Sequence, residues 1–203
     1  MEEDFLDDVK VSAVVKIEKA FSGIIKYSQE HDVDLIVMGS HGQTGFQDMI
    51  IGSTTEKIVR LSNVPVLVIK QNLDHFKSKH LVFASDFSRE IKIPFEKMIQ
   101  FAKVFDAHLN LVMINTPNTF KSNVVAEKHM SDFVQHYDLQ NYSLHIYNDT
   151  NIEKGILNFA NKVDADIICV CTHGRTTFAH LFVGSISEGV MNHAAKPVLT
   201  FKI

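Results

Sequence analysis

Glycine and hydroxyl residues occur in the chain at a spacing that suits phosphate binding. Gly39 ends an apolar run, and Gly42 follows three residues later. After nine further residues come Gly52, Ser53 and Thr54, where a helical pattern begins. Glycine lets backbone N–H groups approach an anion with no Cβ in the way. The first turn of a helix adds N–H donors without partners and a positive dipole end. The pattern predicts a phosphate site beyond the carboxyl end of a strand.

Purely structural roles are the alternative for these residues. Ser53 and Glu56 have the spacing of a capping box, as do Ser185 and Glu188. Gly39 could serve only to form a turn. Spacing alone leaves both interpretations open.

An internal repeat places the same pattern in the chain twice. Residues 34–42 reappear as 166–174, an offset of 132 that continues without a gap to Pro65-Val66-Leu67 and Pro197-Val198-Leu199. In the second occurrence, the residues that correspond to Gly42, Gly52 and Ser53 are Gly174, Gly184 and Ser185. Two copies of one unit are therefore present.

The repeat divides the chain into two domains. We expect residues 1–71 to be the C-terminal part of a first domain, residues 72–79 a linker and residues 80–203 a complete second domain. These domains are called the first and the second repeat below.

Apolar runs alternate with amphipathic helical patterns in both repeats, which indicates an α/β fold with a doubly wound parallel sheet. The second repeat has five predicted strands. The first has three, near Lys10–Lys16, Asp34–Gly39 and Pro65–Lys70, and lacks counterparts of the second repeat's first two. Because the first strand is central in such a sheet, its loss leaves the sheet split. We expect that the natural chain begins upstream of Met1; the alternative is that another copy fills the gap.

Charge and hydropathy exclude several classes of partner. A net charge of −4 and a pI near 6.2 provide no broad basic field for nucleic acid. Nothing approaches the roughly 18 consecutive apolar residues of a membrane-spanning helix. The acidic segment Glu2–Asp8 is unlike a signal peptide. We expect a cytoplasmic protein.

Cys169, Cys171 and His173 form a Cys-x-Cys-x-His string that invites a zinc interpretation. A structural zinc site needs a second pair of ligands at short spacing, and none is evident in the sequence. We expect the two cysteines to be small apolar residues at the end of a core strand.

The glycine pattern resembles the nucleotide-binding signature of the universal stress protein family, which is Gly-x-x-Gly, nine residues, then Gly-Ser. The resemblance covers nearly the whole chain and is strongest over residues 34–70 and 166–202. It implies a five-stranded sheet in the order 3-2-1-4-5 and pairing of domains through their last strands. In one subclass it also implies binding of ATP or AMP, with no metal beyond the Mg²⁺ that accompanies the nucleotide.

An Asp just after the first strand contacts the adenosine moiety in that subclass, and Asp86 matches this position. Its alternative role is to cap the following helix together with Ser88. The resemblance places Ile114 by the base and Val170 by the loop, although both also suit ordinary core positions.

The two repeats depart from the family pattern in opposite ways. The first has all the loop glycines but lacks the segment that carries the Asp. In the second, Cys171 replaces the first glycine and Thr177 stands where the first repeat has Gly45. A Cβ and a sulfur at position 171 would crowd a phosphate. We therefore expect the first repeat's loop to be the better phosphate cradle, and the second repeat to bind ATP weakly or not at all.

Three functional hypotheses follow. The first is a stress-response regulator that binds a nucleotide and hydrolyses it slowly at most. The second is a family member that binds no nucleotide and acts through dimerisation. The third, an enzyme, has the least support, because His41 and His173 have no carboxylate or nucleophile beside them in sequence. The apolar last strands, Val66–Ile69 and Val198–Phe201, lead us to expect pairing of the repeats and self-association.

Overall fold

The structure, a computed structural model, describes residues 9–40, 51–70, 73, 75–172 and 183–203. Within these ranges the first repeat forms α1 (Ala20–Glu30), β1 (Ile36–Gly39), α2 (Ser53–Leu61) and β2 (Val66–Ile69). The second forms β3 (His80–Ala84), α3 (Lys92–Phe105), β4 (His108–Asn115), α4 (Asn123–Val134), β5 (Tyr142–Asn148), α5 (Ile152–Lys162), β6 (Ile167–Thr172), α6 (Val183–His193) and β7 (Val198–Lys202). Strands and helices alternate, so the predicted α/β fold is confirmed.

All the described strands form a single sheet in the order β1-β2-β7-β6-β3-β4-β5. The second repeat's strands are parallel and, counted within that repeat, lie in the order 3-2-1-4-5. Its first strand, β3, therefore lies between β4 and β6. The carboxyl ends of these three strands meet at one edge of the sheet.

The last strands of the two repeats join them. β2 runs antiparallel to β7, with Leu67 opposite Leu199, and Thr200 Oγ1 donates to the carbonyl of Val66 across the junction at 3.2 Å. This pairing covers edges that would otherwise expose a row of apolar residues and unpaired backbone groups. At the far side β1 pairs with β2 alone and forms one edge of the sheet.

The predicted strand near Lys10–Lys16 is wrong, because residues 10–16 form no strand. Their counterpart in the second repeat is β5, which pairs only with β4. The described part of the first repeat has no strand equivalent to β4. With no neighbouring strand to supply ladder hydrogen bonds, the apolar side chains of Val11 and Val15 are exposed.

Two buried clusters lie on opposite faces of the sheet, since successive strand residues point to opposite sides. One contains Leu81 and Phe83 and is covered by α3 and α4. The other contains Val82 and Ala84 and is covered by α2, α5 and α6. None of the helices in the described ranges has the length and apolar character needed to cross a membrane.

Candidate functional site

A cavity of about 640 Å³ opens where β3, β4 and β6 end. Its lining includes the apolar side chains of Ile114, Ile152, Ile156 and Val170, and also Asp86, Lys121 and Ser187. All of its lining residues fall within residues 84–203, so the cavity belongs to the second repeat. Its size and its mixture of an apolar lining with a few polar groups are typical of small-molecule sites.

Asp86 lies at this cavity, in the turn between β3 and α3. Its Oδ1 accepts a hydrogen bond from the N–H of Ser88 at 3.0 Å, and its carbonyl oxygen lies 2.9 Å from Nε2 of His129. Ser88 precedes the 3₁₀ turn Arg89–Ile91 and makes no side-chain capping bond. Asp86 therefore stabilises the turn through one carboxylate oxygen, and the same residue lines the cavity.

The backbone of this turn is strained at Phe87, whose φ is 55°. A bulky residue rarely adopts this left-handed conformation. The ring is buried and packs edge-to-face against Phe83 and Phe133, with centroids 6.5 and 5.7 Å away. This packing offsets the local strain and fixes the direction of the chain next to Asp86.

Ile114 and Val170 are buried, as core residues are, and both also line the cavity. Gly155 of α5 lies directly behind Ile114. A Cβ built on Gly155 would lie 2.5 Å from Cγ2 of Ile114, much closer than carbon atoms can approach. The absence of a side chain at Gly155 therefore lets the β-branched Ile114 keep its place in the lining.

The cysteines behave as apolar residues. Both thiols are free, and Cys169 is fully buried. Burial raises the pKa of the Cys169 thiol, and burial together with the Asp86 carboxylate raises that of Cys171 to about 12. The cavity lining includes Cys171, so this residue stands at the ligand space itself.

In the first repeat, the end of β1 and the start of α2 do come together. The Gly52 N–H donates to the carbonyl of Ser40 at 2.8 Å, and Thr55 Oγ1 donates to the carbonyl of Gly39 at 3.0 Å. A Cβ on Gly52 would lie 3.2 Å from the Ser40 carbonyl oxygen, so a glycine suits this close approach. The Gly52 N–H is thus engaged within the protein, which leaves the amides of Ser53 and Thr54 as first-turn donors.

The capping-box alternative fails at Ser53. Gly52, which has no side chain to form a cap, is the N-cap residue of α2, and Ser53 is its first helical residue. The corresponding Gly184 and Ser185 lie in the first turn of α6, which begins at Val183.

Other predicted residues lie outside the described ranges. These residues are Gly42, Gly174, His41 and His173. Among the described residues, no group of three His, Cys, Asp or Glu side chains is placed to hold a metal ion.

Sequence reasoning missed the loop between β4 and α4. The side chain of Asn115, the last residue of β4, accepts from the Lys121 N–H at 3.2 Å and donates to the Lys121 carbonyl at 2.9 Å. This clasp places Thr119, Phe120 and Lys121 along the cavity. The only signal in the sequence is a Thr-Pro-Asn-Thr turn after an apolar strand, which does not reveal where the loop lies.

Known proteins resemble this chain in sequence. The family model described as "Universal stress protein family" matches residues 1–70 and 77–202. Universal stress protein MJ0577 of Methanocaldococcus jannaschii is 40% identical over 68 residues, which are 32% of this chain and 42% of that protein. Universal stress protein Slr1230 of Synechocystis is 31% identical over 61 residues, 30% of this chain and 21% of that protein. The matched segments thus span less than half the length of these two relatives.

The fold is also similar to solved structures. A universal stress protein from Archaeoglobus fulgidus superposes with a TM-score of 0.71 at 23% identity, over 90% of this chain and 66% of that one. At this identity the likeness shows the fold alone. The family model, in contrast, matches both repeats over nearly all of their length, and the chain therefore belongs to the universal stress protein family.

Proposed function

We propose that the chain is a stress-response regulator that binds an adenine nucleotide, ATP or AMP, with the nucleoside in the cavity of the second repeat. The observation that carries this proposal is the cavity itself, which combines an apolar lining with an acidic residue at the carboxyl ends of β3, β4 and β6. Ligands of open α/β sheets bind at this edge.

The lining suits a nucleoside. Ile114, Ile156 and Val170 offer apolar contacts to the faces of a base. Asp86 can accept hydrogen bonds from ribose hydroxyls or from an exocyclic amine, because Ser88 N–H engages only its Oδ1. Bound Mg²⁺ would be carried by the nucleotide's phosphates.

Phosphate binding is the weaker part of this site. The phosphates would extend towards the first turn of α6, which contains Gly184 and Ser185. Cys171 faces that path with a Cβ and a sulfur where a glycine would leave room. Loop glycines alone favour the first repeat, but the described cavity favours the second repeat as the nucleoside site. We therefore expect AMP and ATP to bind with similar, modest affinity.

We extend this proposal to a regulatory role in the cytoplasm. We expect the chain to hydrolyse ATP slowly at most. A second candidate is an interaction module that binds no nucleotide. The exposed edge strand β1 favours it, because Val37 of that strand is 56% exposed.

Isothermal titration of the full chain with AMP and ATP tests the proposal. We expect binding that Asp86→Asn weakens about tenfold, because the substitution removes an ionised acceptor. Asp132→Asn on the outer face of α4 is the control, since Asp132 forms an ion pair with Lys128 at the surface and is not among the described lining residues of the cavity. Absence of any binding of AMP and ATP at millimolar concentration would favour the interaction module.

A further inference from the structure

The loop between β4 and α4 is held rigidly beside the cavity. Besides the two hydrogen bonds that Asn115 makes to Lys121, Thr119 N–H donates to the Thr116 carbonyl at 3.1 Å, and the hydroxyls of these two threonines lie 2.8 Å apart. Asn115 is only 2% exposed, so its clasp is shielded from water. A buried amide with both ends engaged fixes the backbone to which it bonds.

This fixed loop presents an aromatic ring to solvent. Phe120 lines the cavity and is nevertheless 70% exposed. Exposure of so large an apolar side chain costs free energy that a bound ligand would recover.

Charges around the cavity are arranged asymmetrically. Lys121 is the one basic side chain among the described lining residues, and Asp86 and Glu90 are acidic. Lys121 follows Phe120 directly, so a stacking surface and a cation lie side by side on the same loop. A flat base next to an anionic group matches this pair chemically.

We propose that Phe120 stacks on the base of the bound nucleotide, that Lys121 contacts its ribose phosphate, and that Asn115 is a positioning residue that holds both. The inference rests on the proposed function and adds a specificity element to the same site. The ligand class is a purine nucleoside monophosphate. The preformed loop reduces the conformational entropy lost on binding.

Titration of the full chain with AMP and adenosine tests the role of the ring. Phe120→Ala should weaken both ligands about tenfold, the usual effect of losing one stacked base contact. Phe120→Tyr should bind within about twofold of wild type, because it restores the ring. Val125→Ala is the matched control: Val125 is an exposed apolar residue of α4 outside the cavity lining, and this variant should bind normally.

Comparison of the two ligands separates Lys121 from Phe120. Lys121→Gln should weaken AMP several-fold and leave adenosine unchanged, since adenosine has no phosphate. Asn115→Asp keeps the acceptor but loses the donor to the Lys121 carbonyl, and it should weaken adenosine through the ring and AMP more strongly, since Lys121 is displaced as well. For adenosine, Asn115→Asp combined with Phe120→Ala should cost little more affinity than Phe120→Ala alone, because the loop then no longer carries a ring and adenosine has no phosphate for Lys121. A merely structural role of Asn115 would give additive losses.

The outcomes distinguish this inference from the proposed function. Normal AMP and adenosine binding by Phe120→Ala would overturn the inference and leave the nucleotide site standing. A wild-type chain that binds neither ligand would overturn both. Equal loss of AMP affinity in Phe120→Ala and Val125→Ala would also overturn it, since the effect would then not depend on the cavity.

Discussion

The two repeats share one register, and among the described residues a cavity of about 640 Å³ opens at the strand ends of the second. In the second repeat β6 lies beside β3, and the cavity forms where β3, β4 and β6 end together. In the first repeat the corresponding strand, β1, is an edge strand. Its carboxyl end meets the start of α2 at Gly52, and among the described strands only β2 lies beside it, with no strand on the other side where β3 lies in the second repeat. A glycine pattern therefore suffices for a strand–helix junction, whereas a cavity at the strand ends also needs strands on both sides.

The largest expected effect comes from the equivalent glycines Gly155 and Gly23. Gly155→Ala should lower the free energy of unfolding by about 1–2 kcal/mol and weaken AMP binding, because the new Cβ collides with Ile114 and pushes it into the cavity. Gly23→Ala should be neutral or stabilise by up to about 1 kcal/mol, since it meets only the flexible end of Glu18 and favours the helix. Urea unfolding measures the stability of each variant, and titration with AMP measures its affinity. Equal losses of stability in Gly155→Ala and Gly23→Ala would show that the two repeats tolerate a side chain at this position equally.

Restoring the loop glycine sharpens the comparison at the phosphate end. Cys171→Gly should raise ATP affinity about tenfold and AMP affinity less, because the β- and γ-phosphates gain space. Cys171→Ala separates the two causes: an intermediate gain would assign part of the effect to the sulfur and part to the Cβ. If Cys171→Gly leaves the ATP affinity unchanged, crowding by Cys171 is not what weakens the site.

Self-association should depend on the exposed edge of the first repeat. Val37 of β1 is 56% exposed, whereas its counterpart Cys169 is fully buried in the middle of the sheet. We expect the wild-type chain to form dimers or larger species and Val37→Lys to shift them towards monomers, because a charge on an edge strand opposes pairing. Val104→Lys, on the exposed face of α3, is the control. Light scattering that gives a clean wild-type monomer would count against the expectation.

The smallest effect concerns the pH dependence of stability. His145 lies beneath α5, where its Nε2 is 2.8 Å from Ser143 Oγ and 3.2 Å from Asn110 Oδ1. Burial, and then the positive charge of His108 and of Lys162, lower its pKa from the ordinary value of 6.5. The unfolded chain therefore takes up this proton first, so this contribution to stability is present above about pH 6.5 and is lost as the pH falls below it.

Unfolding in urea at pH 7.5 and 5.5 measures this contribution. Because His145 is half-buried and solvent screens it, we expect a loss of less than about 1 kcal/mol on acidification. His145→Gln should lose less on acidification than the wild type. The equivalent position in the first repeat is Ala13, which cannot titrate. An unchanged pH dependence in His145→Gln would assign the acid effect to other groups.

Local signals in the sequence predict much of the fold. The helix α2 begins at Ser53, where the sequence predicts a helical pattern to begin, because a glycine and an amphipathic pattern mark its start. The segment Lys10–Lys16 has strand-like composition but forms no strand, since the partner strand decides whether such a segment pairs.

The site is predictable only in part. Asp86 and Ile114 follow from the family resemblance, and both line the cavity. Phe120 and Asn115 do not, because their roles arise from a loop folding back on a strand end, which leaves no periodicity in the sequence. The strained Phe87 is equally hidden, as its backbone is set by ring packing with residues distant in the chain.

The central claim is that the nucleoside binds in the second repeat, at the cavity between β3, β4 and β6. Backbone amide shifts of the full chain, followed by NMR during titration with AMP, test it most directly. We expect the perturbed amide shifts to cluster at residues 84–88, 113–121 and 152–156, and the shifts of residues 52–55 in the first repeat to stay unchanged. Perturbations confined to residues 52–55 would contradict it.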